Sequence, residues 1–172
     1  MSYLPFVALT AAVALAMEFW ARFLHGQVWH RHLWWAHASH HRTRTGFFEF
    51  NDVFAVLHAG VAVGLIAWGE AGQGWAALGG PRWWALAMGA GMTAFGAAYF
   101  VVHDGLAHGR LPVQFLARVR WLRRLRNAHR AHHRGGRQED GPPFGLFLGP
   151  QELKKASRAA RLQHRQARAA AA

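Results

Sequence analysis

The sequence predicts an all-α integral membrane protein, with about three to four membrane helices whose cytoplasmic extensions carry a histidine-rich dimetal site. Three observations lead there: long apolar runs, a one-sided distribution of basic residues, and ten histidines in four groups that repeat. The 172 residues suit a single domain, and 52% of them are hydrophobic. Lys and Arg number 20 against 8 acidic residues, a formal charge of +12. Such a balance points to nucleic acid or to an anionic membrane surface, and apolar content this high selects the membrane. Cysteine is absent, which excludes disulfides, thiolate metal sites and cysteine nucleophiles, so any metal must be held by nitrogen or oxygen.

The first apolar run is Leu4 to Leu24, "LPFVALTAAVALAMEFWARFL". As a helix it extends about 30 Å, the thickness of a bilayer's hydrocarbon core. Its lack of a basic leader region disfavours a cleaved signal peptide. Val53 to Gly69 forms the second run, short but adequate at about 25 Å. Trp83 to Val102 is the third, reached through a Gly-rich link that ends in Pro81. Of the 20 basic residues only Arg82 falls in that link, so 19 lie on the opposite side. The positive-inside rule makes that side cytoplasmic, in a bacterial inner membrane, and every clustered histidine lies on it.

After Val102 the stretch "LPVQFLARVRWLRRLRNAHRAHH" alternates apolar and basic residues at helical spacing, as expected of a helix lying in the membrane interface. Its arginines are explained by that position, and nucleic-acid binding is not expected. Residues 135–150 read as a loop. The chain thus divides into a membrane-embedded domain at 1–150 and a basic tail at 151–172, whose weak apolar face predicts a solvated, frayed segment. Glu18 is placed to pair with Arg22 four residues on.

The histidines follow two patterns. His25 and His30 make H-x4-H, and His37, His40 and His41 make H-x2-H-H. His103 and His108 then repeat the first pattern, and His129, His132 and His133 repeat the second. On an α-helix, positions 30, 37 and 41 fall within about 40° of one another, whereas His25 sits roughly 140° from His30. His103 and His108 diverge in the same way, which implies a bend or a second metal there. Neutral imidazole is the commonest protein metal ligand, and ten exceed what one ion accepts. Zinc sites take four ligands at most and do no redox chemistry. A carboxylate-bridged di-iron bundle needs glutamates that this chain lacks, because the nearby acids are only Glu49, Asp52 and Asp104. A histidine-rich dinuclear centre with open positions remains. Asn51, Asp104 and Asn127 stand beside the groups as partners able to accept a ligand's spare ring N–H, with helix capping by Asn51 or Asp52 as the alternative. His32 is ambiguous, and His58, inside the second run, reads as a paired buried histidine that lines the site at most. Gly60, Gly64, Gly89 and Gly91 suit close helix packing better than a slot for a ligand.

These groups resemble the motifs of the membrane fatty-acid hydroxylase and desaturase superfamily, and more closely the bacterial β-carotene hydroxylase family. The resemblance rests on "HRHLWWAHASHH", "GFFEFNDVFAV", "YFVVHDGLAHGRLP", "LRNAHRAHH" and "FGLFLGP", and it covers roughly residues 20–150. It implies a non-haem di-iron monooxygenase that takes O2 and two electrons from a ferredoxin-type donor. Such an enzyme hydroxylates the β-ionone rings of β-carotene at C3, giving β-cryptoxanthin and then zeaxanthin. The matching positions make His25, His30, His37, His40, His41, His103, His108, His129, His132 and His133 the iron ligands. The basic face from Arg118 to Arg126 is the expected dock for an acidic electron donor. Two alternatives stand beside this reading: a hydroxylase or desaturase of fatty acids or sterols, and a histidine-rich membrane metal transporter.

Overall fold

The computed structural model of the chain describes residues 3–135, 137–139 and 141–170, with the side chains of residues 74, 75, 77, 169 and 170 left out. All regular elements among the described residues are helical. Helix α1 (Leu4–Phe23) opens with Pro5, tolerated in a first turn because that turn's N–H groups lack helical partners anyway. After Phe23 the winding loosens, and Leu24–Trp29 continue as a π-helix. A short helix α2 (Trp34–His37) runs into a 3₁₀ turn at Ala38–His41. Helix α3 (Asp52–Glu70) ends where Ala71 and Gly72 take positive φ, of 35° and 77°. Helix α4 (Trp83–Tyr99) passes without interruption into a second π-helix, Phe100–Ala107. Helix α5 (Arg120–His132) and helix α6 (Gly149–Ala170) complete the chain.

Three segments are long and apolar enough to cross a membrane: Leu4–Trp29, Asp52–Glu70 and Trp83–Ala107. Their outward faces are apolar and exposed, as Leu15, Phe19, Val56, Leu57 and Val63 illustrate, which suits contact with lipid. Helix α4 packs against both α1 and α3. Glycines make that packing close. A Cβ on Gly91 would lie 2.6 Å from the carbonyl oxygen of Thr10, and one on Gly89 would lie 2.8 Å from that of Ala62. Gly60 and Gly64 face open space and take no part in it.

Three expectations need correction. The segment 111–133 is not one helix: a 3₁₀ turn at Gln114–Arg118 ends at an extended Val119 before α5 begins. Leu111 and Val113 sit directly over Gly105, where an added Cβ would meet Val113 at 2.8 Å, so the segment is pinned back on the π-turn before it can run on. Residues 149–170 form a helix rather than a frayed tail. Its first turn is tied down, since Glu152 accepts the backbone N–H of Phe144 at 2.8 Å and pairs with Arg22. From Lys154 onward the basic residues are exposed, and the last two residues lie outside the described set. Glu18 therefore does not pair with Arg22. It is buried and accepts the N–H of Leu148 at 2.8 Å, which fastens the 144–148 loop to α1.

Candidate metal centre

Both H-x4-H groups lie on the π-helices. A π-turn bonds residue i to i+5, so residues five apart stack on one face where an α-helix would splay them. The backbone N–H of His30 donates to the carbonyl of His25 at 3.1 Å, and that of His108 to His103 at 3.0 Å. The paired rings consequently stand 5.1 and 4.7 Å apart, centre to centre. The loosened winding supplies the bend that the spacing called for.

Ten rings converge from four segments. Ligand-capable nitrogens of His25, His30, His37 and His41 lie within 4.8 Å of one another, and so do those of His40, His103, His108 and His129. His41, His132 and His133 form a third such group that joins the other two. His132 reaches His25 and His30, and the His41 and His133 rings stack at 4.1 Å. Seven of the ten are buried; His41, His108 and His133 are half-buried. His32 is exposed outside the cluster. His58 is satisfied on both nitrogens, donating from Nδ1 to Phe54 O at 2.7 Å and accepting from Trp20 Nε1 at 3.0 Å.

The outer nitrogens fix how the inner ones are used. Nδ1–H of His25, His30 and His132 donates to the carbonyls of Phe144, Gln138 and Gly141, at 2.8, 2.9 and 3.0 Å. A carbonyl only accepts, so Nδ1 carries the proton and Nε2 presents a lone pair. Yet His132 Nε2 lies 3.1 Å from Nε2 of both His25 and His30. The same face-to-face approach recurs between His40 and His103 at 3.0 Å and between His37 and His41 at 3.2 Å. Converging lone pairs repel unless a cation lies between them. Ligands at about 2 Å from one ion stand roughly 3 Å apart, so the spacing fits metal coordination. His41 Nδ1 and His133 Nε2 are buried without a hydrogen-bond partner, a further sign that the donor set is made for something else.

Burial also holds these rings in the form that binds metal. It lowers His37 to about 3 and His41 and His108 to about 2; repulsion among the imidazoles adds to it at all three, and at His37 the Asn51 bond opposes it. His40, His129 and His133 are pushed well below the ordinary range for the same first reason. All six are thus neutral near pH 7.

The outer partners are partly those expected. Asn51 Oδ1 accepts from His37 Nδ1 at 2.7 Å and does not cap its helix, and Asp104 accepts from His103 at 3.2 Å. Asn127 is exposed and accepts from the Arg126 guanidinium; on α5 it faces away from His129 and His132, and among the described residues no bond joins it to a clustered histidine. Sequence reasoning missed the rest. Glu49 accepts from His40 at 3.1 Å, three backbone carbonyls hold three rings, and Arg110 sits buried among Glu49, Asp52 and Asp104. A lone arginine two residues past an H-x4-H group carries no signal among 20 basic residues, and a carbonyl carries none at all.

Beside the histidines lies an apolar cavity of about 410 Å³ between α1, α3 and α4. Trp20, Phe54, His58 and Phe95 line it, and it ends against His103 and Asp104. Ala59, Val63 and Gly96 are exposed where it opens toward the lipid-facing side.

The sequence model described as fatty acid hydroxylase matches residues 10–150. The chain belongs to that family. Among its relatives, β-carotene hydroxylase of Pseudescherichia vulneris is 46% identical over 133 residues, covering 77% of this chain and 70% of that one. β-Carotene 3-hydroxylase 1, chloroplastic, of Arabidopsis thaliana is 47% identical over 150 residues, 86% of this chain and 46% of its own length. β-Carotene hydroxylase 2, chloroplastic, of Capsicum annuum is 45% identical over the same span and share. The chain therefore spans less than half the length of these plant relatives. No solved structure matches it. Within the hydroxylase family, then, this member keeps ten of its 13 histidines together at one end of three spans.

Proposed function

We propose that the chain is a membrane-bound, non-haem di-iron monooxygenase that hydroxylates C3 of the β-ionone rings of β-carotene, giving β-cryptoxanthin and then zeaxanthin. The observation that carries this reading is the meeting of ten imidazoles beside an apolar cavity that reaches His103 among them and opens on the lipid-facing side. The names of the relatives support the substrate. Residues 1–150 make up the hydroxylase in this reading and 151–172 a basic appendage. The centre faces the cytoplasm of a bacterial inner membrane, the side that collects 19 of the 20 Lys and Arg. A ferredoxin-type protein is the source of electrons.

Two irons bound there would supply O2 activation: with two electrons from the donor and two from the ring C–H bond, one oxygen atom becomes C–OH and the other leaves as water with two protons. The chain's own part is placement. His25, His30, His37, His41 and His132 would hold one ion, and His40, His103, His108, His129 and His133 the other. The outer N–H groups of His25, His30, His37, His40, His103 and His132, donated to carbonyls, carboxylates and an amide, keep those six rings in one tautomer and one orientation. The cavity takes a ring and the first part of its polyene, while the remainder lies along the lipid-facing side of α1 and α3. Apolar walls keep bulk water from the reacting carbon. Expression in a bacterium that accumulates β-carotene tests the proposal by pigment analysis. Zeaxanthin is expected, and unchanged β-carotene beside altered lipids overturns it in favour of an acyl or sterol substrate.

A further inference from the structure

Arg110 is surrounded by carboxylates on three sides. Its side chain is only 4% exposed, and Glu49 beside it only 7%. Nη1 donates to Asp52 Oδ1 at 2.9 Å and stands 3.2 Å from Asp104 Oδ1, while Nη2 lies 3.4 Å from Glu49 Oε1 at ion-pair range. Burial opposes its charge, and the three carboxylates outweigh that effect and hold the guanidinium more firmly cationic than usual. Two of them reach onward: Glu49 Oε2 accepts from His40 Nδ1, and Asp104 Oδ2 from His103 Nδ1. These two rings then face each other through Nε2 at 3.0 Å. Asp52 closes the ring of contacts by accepting the N–H of Glu49 at 2.9 Å.

From this arrangement we infer that Arg110 is a positioning residue for one half of the metal centre, holding Glu49 and Asp104 so that they aim His40 and His103 at a shared ion. The inference rests on the reading of the histidine cluster as a two-metal site. Three carboxylates, buried at Glu49 and half-buried at Asp52 and Asp104, would repel one another without the guanidinium, and Glu49 and Asp104 would then turn away from their histidines. With it, two net negative charges remain at the back of His40 and His103. A carboxylate behind a ligating imidazole raises the basicity of the ring and fixes its tautomer. The other rings with assigned outer contacts lean on Phe144, Gln138, Gly141 and Asn51, none of which Arg110 touches. Loss of Arg110 should therefore fall on one ion and spare the other.

The test uses the purified full-length chain reconstituted anaerobically with ferrous iron, counting bound iron and following its release to a chelator. The parent chain is expected to hold two. Arg110→Gln should keep its helical content and elution position yet bind one of the two about 10- to 100-fold more weakly, the scale of outer-partner losses. Arg110→Lys should fall between, since an ammonium cannot span three carboxylates. Two irons held by Arg110→Gln at the parent's release rate overturn the inference. Where Arg110→Gln fails to fold, the double variant Glu49→Gln, Asp104→Asn decides with Arg110 in place: selective weakening of one ion supports the role, and unchanged release of both refutes it. A parent chain that takes up no iron defeats the two-metal reading itself and this role with it.

Discussion

The outer halves of α1 and α4 and the histidine-bearing ends of the same helices are built on different rules. In the outer halves the winding is regular, and contacts are made by close approach of backbones: Gly91 to Thr10, Gly89 to Ala62. Backbone hydrogen bonding there is satisfied inside each helix, as a bilayer requires. At the other end both helices slacken into π-turns, and the outer nitrogens of six clustered rings meet specific acceptors. One half is specified by size, the other by the direction of lone pairs. Substitutions should fail differently in each: through packing in the first, through metal in the second.

The largest effect separates them outright. His40→Ala or His132→Ala removes an imidazole from a different half of the cluster, and zeaxanthin formation should vanish, a loss of at least about 100-fold as expected when a ligand goes. Membrane fractionation should show the chain still in place, because the spans do not depend on these rings. Activity retained in both variants would break the ligand assignment.

Acid should strike the same end. His37, His41 and His108 have folded pKa values lowered from 6.5 to about 3, 2 and 2. Below the ordinary value the unfolded chain binds protons that the folded one refuses, so stability is fully present above about pH 6.5 and falls as pH drops toward those lower values. Thermal unfolding of the metal-free protein in detergent should therefore shift down steadily from pH 6.5 to 5, and barely between 7 and 8. A flat profile across the acid range would show that the rings are not buried together.

Gly26 gives an intermediate effect because it lies inside the first π-turn. A Cβ there would come within 2.8 Å of the Phe144 ring, which is itself wedged among His25, His30 and His132 at 5.4 to 5.6 Å between centres. Phe144 cannot retreat without moving its carbonyl, the acceptor for His25. Gly26→Val should lower hydroxylation by about tenfold or more, on the scale of displaced outer partners, with expression unchanged. Iron content should fall with activity; if it does not, Phe144 shapes the cavity rather than the ligands.

How much of this was legible beforehand divides along the same line. Apolar runs and charge placed the three spans to within a few residues, because a bilayer constrains length and composition directly. The four histidine groups were visible as groups. Their meeting in one centre was expected, but the means was not visible, since an ideal helix turns His25 away from His30 and only the π-winding brings them back. Asn51 and Asp104 stood out by adjacency in sequence, whereas Arg110 and Phe144 act through the fold and have no local mark. Asn127 misled for the opposite reason: nearness to His129 along the chain put it on the exposed side of α5. The helix at 149–170 was read as frayed because its own faces are weak. What starts it is Glu152 meeting a loop eight residues back and an arginine on α1.

The smallest effects belong to the outer halves and sharpen the contrast within one residue type. Gly91→Ala places a methyl 2.6 Å from the Thr10 carbonyl and 2.8 Å from Val13 Cβ, and a helix backbone cannot yield as a flexible side-chain end would. Overpacking of this kind costs about 1–3 kcal/mol, a lower unfolding temperature with α1 and α4 pushed apart. Gly64→Ala meets nothing within 4 Å and gains the better helix propensity of alanine, so it should be neutral or stabilising by less than about 1 kcal/mol. Neither should change the number of irons bound per folded chain. If Gly91→Ala released iron while the melting temperature held, the two halves would not be separable, and the packing of α1 on α4 would have to count as part of the metal centre.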